Sequence, residues 1–190
     1  MRLTEQVHLQ LEVVLRPGDT AVDATAGNGH DTLAMAKLVG STGKVIAIDL
    51  QAAAIESTCS RLEEAGQLSQ CELIEGDHAE VFNELLAKYR GGISAITFNL
   101  GYLPGSDKAL TTSPEKTLRA LDAAQALLKP GGILLVTAYR GHPGGRDEAK
   151  QVAQWMGTLS GNHWHTEVRE PLTENKESFP PILWIVRFEA

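Results

Sequence analysis

The chain has 190 residues, 43% hydrophobic and 22% charged, a composition that suits one compact domain with its own core. No apolar run approaches the ~20 residues of a membrane span, and Arg2, Glu5, His8 and Glu12 break up the apolar residues near the start, so the expectation is a cytoplasmic protein with no secretory signal and no membrane partner. A formal net charge of −7 argues against a general nucleic-acid coat.

Strand and helix signals alternate from residue 20 to about residue 157. Thr20–Ala24 is a short strand running into the turn Asp23-Ala24-Thr25-Ala26-Gly27-Asn28-Gly29. Asp31–Val39 has helical spacing, with Leu33, Ala36 and Leu38 apolar. Lys44–Ile48 is a buried-type strand that ends at Asp49, and Ala52–Ala65 is a helix with Ile55, Cys59 and Leu62 on one face. Glu72–Glu75 is a third strand, followed by the helix Ala79–Tyr89. Ile93–Phe98 is a fourth strand. Pro114 suits a first helical position, ahead of a helix over Glu115–Leu128. Lys129-Pro130-Gly131-Gly132 reads as a stop and turn before the strand Ile133–Ala138, and Arg146–Met156 is the next helix.

The pattern then changes. Trp164–Arg169 and Ile182–Phe188 are strands with no helix between them, which predicts an antiparallel pair at one sheet edge. Pro180-Pro181 supports a strand start, because proline cannot donate within a ladder. The expected fold is therefore α/β: a doubly wound, mostly parallel, seven-stranded Rossmann-like sheet with a C-terminal antiparallel hairpin, in a single domain over residues 1–190.

Ligand chemistry concentrates where the strands end. Gly27 and Gly29 have no Cβ, so the backbone can bend tightly and approach a ligand. Asp23 suits an ammonium group, reached directly or through water. His30, Asp31 and Thr32 open a helix whose free amides suit a carboxylate. A third glycine of the dinucleotide fingerprint is missing, and Asp23 and Asp31 would repel a pyrophosphate. A zwitterionic amino-acid tail fits better, which points to S-adenosylmethionine. About 20 residues past the turn, Asp49 can accept both hydroxyls of a ribose, with Gln51 near the same sugar or the base. An aspartate there can equally cap a helix. Asp77 and His78, at the third strand end, suit the adenine, although Asp77 is also a plausible N-cap.

The fourth strand ends in Asn99-Leu100-Gly101-Tyr102-Leu103-Pro104-Gly105. This resembles the Asn-Pro-Pro-Tyr motif of amino-group methyltransferases, with Leu-Gly in place of Pro-Pro. An Asn side-chain oxygen and a backbone carbonyl can accept an amine's two hydrogens and aim its lone pair. Tyr102 can stack on a planar base or serve as a core anchor. Lys108, Thr111 and Thr112 suit a phosphate. Tyr139-Arg140-Gly141-His142-Pro143-Gly144-Gly145 follows the fifth strand. There Tyr139 and His142 can shape the target pocket, Arg140 can meet a phosphate, and His142 is a candidate general base. The polar loop Thr173–Pro181 can close over a substrate or make a subunit contact.

Other features are less specific. His163 and His165 lack a third nearby ligand, so a solvated strand face is the expectation and no metal is assigned. Cys59 and Cys71 read as reduced thiols.

Taken together, the glycine turn with its Gly-His-Asp-Thr continuation, the Asn99–Gly105 segment and the Tyr139–Gly145 segment resemble a family of small bacterial class I methyltransferases long labelled rRNA methylases. That family includes the methyltransferase acting on 5-aminomethyl-2-thiouridine at the tRNA wobble position. The resemblance implies S-adenosylmethionine as cofactor, with Asn28, Asp31, Asp49, Gln51, Asp77 and His78 as contacts. It further implies methylation of the exocyclic aminomethyl nitrogen, a tRNA partner met at its anticodon region, and a homodimer. An rRNA or small-molecule amine methyltransferase on the same fold is the alternative. Charge bears on the tRNA reading. Residues 1–95 carry 7 Lys+Arg against 14 Asp+Glu, and residues 96–190 carry 10 of each, so a polyanion would meet the second half more easily.

Overall fold

The computed structural model describes residues 2–101, 113–159, 163–171 and 179–189. Tyr102, Lys108, Thr111 and Thr112 lie outside the described residues, as does most of the Thr173–Pro181 loop.

Among the described residues the elements run α1 (Leu3–Val14), β1 (Thr20–Asp23), α2 (His30–Val39), β2 (Lys44–Asp49), α3 (Ala52–Glu64), a short 3-10 turn, and β3 (Cys71–Glu75). They continue with α4 (His78–Tyr89), β4 (Ile93–Leu100), α5 (Pro114–Leu127), β5 (Leu128–Ala138), α6 (Gly145–Thr158), β6 (Trp164–Arg169) and β7 (Ile182–Phe188). The strands form one sheet in the order β3-β2-β1-β4-β5-β7-β6. Pairing is parallel except for β7, which runs antiparallel to both β5 and β6. The doubly wound sheet and its C-terminal antiparallel pair are as the sequence predicts.

The core is split by the sheet, because successive strand side chains point to opposite faces. Val22, Ile46, Ile96, Leu134 and Val136 pack on one side with Phe82 of α4, Leu121 of α5 and Val152 of α6. Ala21, Val45, Ala95, Ile133 and Leu135 pack on the other with Leu11 of α1, Met35 of α2 and Leu62 of α3. Both faces are covered, which explains why the inner strands β1, β2 and β4 are buried nearly throughout, whereas the edge strand β3 is only partly buried.

Two features differ from the sequence expectation. The first is α1, a helix ahead of the alternating strand and helix signals. Its Leu3, Val7 and Leu11 are buried at helical spacing, and the Arg2 backbone amide donates to Glu5 Oε2 at 2.9 Å. The second is the Lys129–Gly132 turn signal, which does not interrupt the strand. β5 begins at Leu128, and the extra residues are absorbed as a bulge: Ile93 pairs with Leu128 and Ala95 with Ile133.

Strand order reverses between β1 and β4, whose neighbours lie on opposite sides. In an open α/β sheet the crevice at the carboxyl ends of such strands is the ligand site.

Candidate active site

A cavity of about 660 Å³ opens at that crevice. Its wall takes Thr25, Gly27, Asn28 and Asp31 from the first strand end and turn, Asp49, Leu50 and Gln51 from the second, and Asp77 and His78 from the third. Asn99 and Gly101 come from the fourth strand end, and Tyr139, Arg140 and His142 from the fifth. Parallel strands thus bring five chain-distant segments to one edge.

The glycine turn is held from behind by α3. Thr58 Oγ1 donates to the Gly27 carbonyl at 3.2 Å, Ser57 Oγ donates to Asn28 Oδ1 at 3.2 Å, and Arg61 Nε donates to the Asn28 carbonyl at 2.5 Å. Gly29 caps α2 in the left-handed conformation, at φ +74°. A Cβ there would sit 2.9 Å from the Thr58 Cα.

Asp49 links the first two strand ends. Its Oδ2 accepts from the Gly27 amide at 2.9 Å and its Oδ1 from the Gln51 amide at 3.0 Å. A carboxylate has about four lone-pair sites, so one on each oxygen is left for a diol. Asp77 caps α4 by accepting from the Ala79 amide at 2.9 Å, and its other oxygen meets Lys116 Nζ at 2.6 Å. Burial alone would raise the Asp77 pKa, but Lys116 and the Ala79 amide outweigh it and hold the carboxyl below its ordinary value. His78 lines the same wall. Its Nε2 is buried with no hydrogen-bond partner among the described residues, and burial pushes the ring's pKa down. A neutral imidazole nitrogen with nothing to bond is what a planar heterocycle with donors and acceptors would satisfy.

Asp23 is not where the sequence reading put it. It is fully buried beneath the turn and does not line the cavity. Thr32 Oγ1 donates to its Oδ2 at 2.6 Å, with Thr97 Oγ1 at 3.3 Å and the Thr25 amide at 3.3 Å on Oδ1. Asp23 and Thr32 therefore brace the turn from below, and an ammonium group in the cavity would not touch either. Gly29 also lies behind the wall.

Burial raises the Asp23 carboxyl to about 7, and the neighbouring Asp31 charge adds to the effect. The proton is held in the folded state and released in the unfolded state over roughly pH 4 to 7, so Asp23 contributes stability at low pH that is lost as pH rises through about 7. Asp23→Asn removes this titration. Thermal melts should show the wild type losing ground to the variant between pH 5 and pH 8; parallel melting curves would refute the assignment.

Asp31 is nearly buried and joins two elements. Its Oδ1 lies 2.6 Å from His8 Nε2 of α1, and its Oδ2 accepts from Asn99 Nδ2 at 2.8 Å. A carboxylate oxygen can only accept, so Asn99 must turn its NH2 toward Asp31 and present its carbonyl oxygen the other way. The Asn99 backbone amide is fixed by Thr25 Oγ1 at 2.6 Å.

Tyr139, just past the end of β5, is 40% exposed and lines the cavity, and burial followed by the Asp31 charge raises its phenol pKa. His142 is largely buried. Its Nδ1 lies 3.0 Å from the Pro143 carbonyl, which must accept, so Nδ1 carries a hydrogen. Gly145 is required beside it, since a Cβ there would lie 2.6 Å from His142 Nε2. Arg140 does not stand open for a phosphate. Its Nε donates to the Pro180 carbonyl at 2.7 Å and its NH2 group meets Glu170. Arg146 stacks over Phe179 at 4.6 Å, so two arginines anchor the segment from which Phe179 and Pro181 enter the cavity wall.

Sequence reasoning missed His8, Thr4, Leu50 and Lys116. Leu50 is half exposed yet lies in the wall between Asp49 and Gln51, and its position next to a strand-end acid was the available signal. Among the described residues, no group of three His, Cys, Asp or Glu side chains is placed to hold a metal ion. No helix among them is long and apolar enough to cross a membrane.

Comparison with known proteins places the chain in a family. Residues 45–187 match the family model described as "Putative rRNA methylase". The "tRNA (mnm(5)s(2)U34)-methyltransferase, chloroplastic" of Arabidopsis thaliana is 41% identical over 86% of this chain, and the chain spans 62% of that relative's length. A "putative rRNA-methylase" from Clostridium thermocellum superposes with a TM-score of 0.88 at 33% identity, covering 97% of this chain and 96% of that one. A "putative methyltransferase" from Streptococcus mutans, solved in complex with SAH, superposes at 0.85 with 32% identity and 98% coverage of both chains. The chain belongs to this rRNA-methylase family, a methyltransferase family built on the S-adenosylmethionine-binding Rossmann-like fold.

Proposed function

We propose that the protein is an S-adenosylmethionine-dependent N-methyltransferase acting on the aminomethyl nitrogen of 5-aminomethyl-2-thiouridine at the tRNA wobble position. The observation that carries this reading is the Asp31–Asn99 hydrogen bond, which turns the Asn99 amide oxygen outward as an acceptor. A primary amine attacks through its lone pair. Accepting one of its hydrogens at a fixed point aims that lone pair, and positioning is the main catalytic contribution in a transfer that needs little proton chemistry.

The wall residues fit the cofactor in order. Gly27 and Asn28 would receive its amino-acid end at the turn, Asp49 and Gln51 its ribose, and Asp77, His78 and Leu50 its adenine. When bound, S-adenosylmethionine supplies an electrophilic methyl group on a sulfonium. Tyr139 and His142 flank the acceptor side, where Tyr139 offers an aromatic face to a planar base. Tyr102, which lies outside the described residues, is a further candidate for stacking on the target base. His142, a candidate general base from its sequence position, has its Nε2 buried toward Gly101 and Gly145, so its ring shapes the acceptor wall. The anticodon region is the tRNA part that would enter, a homodimer would pool the neutral second halves of two chains, and the cytoplasm is the expected compartment.

The tRNA assignment leans on the Arabidopsis relative's name, whereas the family description speaks of rRNA. Incubating total tRNA and total rRNA separately with the protein and methyl-labelled S-adenosylmethionine distinguishes them. Label is expected in tRNA alone, in a nucleoside from the wobble position. Label confined to rRNA would contradict the proposal.

A further inference from the structure

His8 stands outside the cavity wall, and the mechanism above gives it no task. It projects from α1, the helix that also places Thr4 in the wall. Its Nε2 lies 2.6 Å from Asp31 Oδ1, while the opposite oxygen of that carboxylate holds Asn99 Nδ2 at 2.8 Å. Three side chains from α1, α2 and β4 thus form one line, imidazole to carboxylate to amide, ending at the group that meets the substrate.

We propose that His8 is a positioning residue for methyl transfer: it fixes the Asp31 carboxylate in the rotamer that turns the Asn99 amide oxygen toward the acceptor amine. The proposal rests on the reading of Asn99 as the amine-orienting residue. Its physical basis is that Asp31 has two oxygens and a rotatable side chain. With only Asn99 bound, the carboxylate can swing about its Cβ and the amide can follow. A second donor on the other oxygen fixes the plane, and a charge-assisted bond does so more firmly than a neutral one.

His8 is also more open to solvent than Asp31, with 35% of its side chain exposed against 7%. The charged and titratable groups around it are Asp31 from α2, Asp23 from β1 and Glu12 from its own helix, with Tyr139 beyond β5 facing Asp31. The hydrogen bond to Asp31 raises the His8 pKa, burial opposes it, and the charges of Asp31, Glu12 and Asp23 add to the rise. The imidazolium therefore persists above the ordinary histidine range, and the charge-assisted bond weakens as pH rises through the folded pKa. Rate should climb with pH as the substrate amine loses its proton, then decline as His8 loses its charge.

The test compares wild type, His8→Leu and His8→Gln at saturating cofactor and tRNA. Glutamine can offer a donor near the Nε2 position without titrating. His8→Leu should lower kcat about 10-fold with little change in KM, and His8→Gln should recover most of the loss while lacking the decline at high pH. In parallel, the side-chain amide 15N signals of Asn99 are followed in the protein without substrate. They should titrate with the His8 ring in wild type and shift in His8→Leu. Equal impairment in both variants, or a His8→Leu kcat within about twofold of wild type with unmoved Asn99 signals, would overturn the proposal. If the wild type methylates no tRNA, the functional reading fails, and the Asn99 signals still decide whether His8 controls that amide.

Discussion

Asn99→Ala is expected to lower kcat for methyl transfer by about 100-fold while S-adenosylmethionine affinity stays within roughly threefold of wild type. The split follows from where the residue sits. Asn99 ends β4, next to the cavity but away from the Asp49 and Asp77 strand ends that suit the cofactor's sugar and base. Its side chain makes one described bond, from Nδ2 to Asp31 Oδ2. Alanine removes the oxygen that would accept from the amine and leaves that Asp31 oxygen without its donor, at a folding cost of about 1–3 kcal/mol. Single-turnover methyl transfer and calorimetric cofactor binding measure the two effects separately. A kcat that stays near wild type would mean Asn99 does not orient the acceptor, and a protein that only binds the cofactor would behave that way. A fall in cofactor affinity matching the fall in kcat would instead make Asn99 part of the cofactor pocket.

Gly29→Ala should have the largest effect on cofactor binding. Alanine in the left-handed region costs about 1–2 kcal/mol. The clash adds more, because the new Cβ would meet the Thr58 backbone at 2.9 Å and not the tip of a flexible side chain. Overpacking of that kind costs about 1–3 kcal/mol. Thr58 also holds the Gly27 carbonyl, so pushing α3 away drags the turn with it. The expected result is a Tm lower by roughly 5–15 °C and S-adenosylmethionine binding weakened by at least about 10-fold. Gly66→Ala is the matched control. Its φ is also positive, at +65°, but nothing lies within 4 Å of the added Cβ, so it should show the backbone strain alone and bind cofactor normally. If the two variants melt together, the contact with Thr58 does not matter.

Much of this site was legible in the sequence because its parts obey one rule. A parallel strand ends, a polar residue follows, and the sheet gathers those ends at one edge. Asp49 and Asn99 follow apolar runs, and Asp77 and His78 follow the short strand Glu72–Glu75 and its glycine. Depth was not legible. Asp23 and Asp49 both end strands, yet Asp23 is sealed beneath the turn by Thr32 and by Thr97 of the adjacent β4, whereas Asp49 reaches the cavity. A one-dimensional pattern does not record which carboxylate a neighbouring strand will cover. His8 was unreadable for a different reason: it is a polar residue on an amphipathic helix, and only packing of α1 against α2 brings it to Asp31. The Lys129–Gly132 signal predicts a turn where β5 carries a bulge instead, because a bulge in a paired strand uses the same residues as a turn.

The central claim is that the acceptor is an amine held by Asn99. Two synthetic anticodon stem-loops test it, one carrying 5-aminomethyl-2-thiouridine and one carrying 2-thiouridine at the wobble position, each incubated with the protein and methyl-labelled S-adenosylmethionine. Mass spectrometry of the digested nucleosides should find 5-methylaminomethyl-2-thiouridine from the first and no labelled nucleoside from the second. Equal labelling of both, or a label on the ring or ribose, would contradict it.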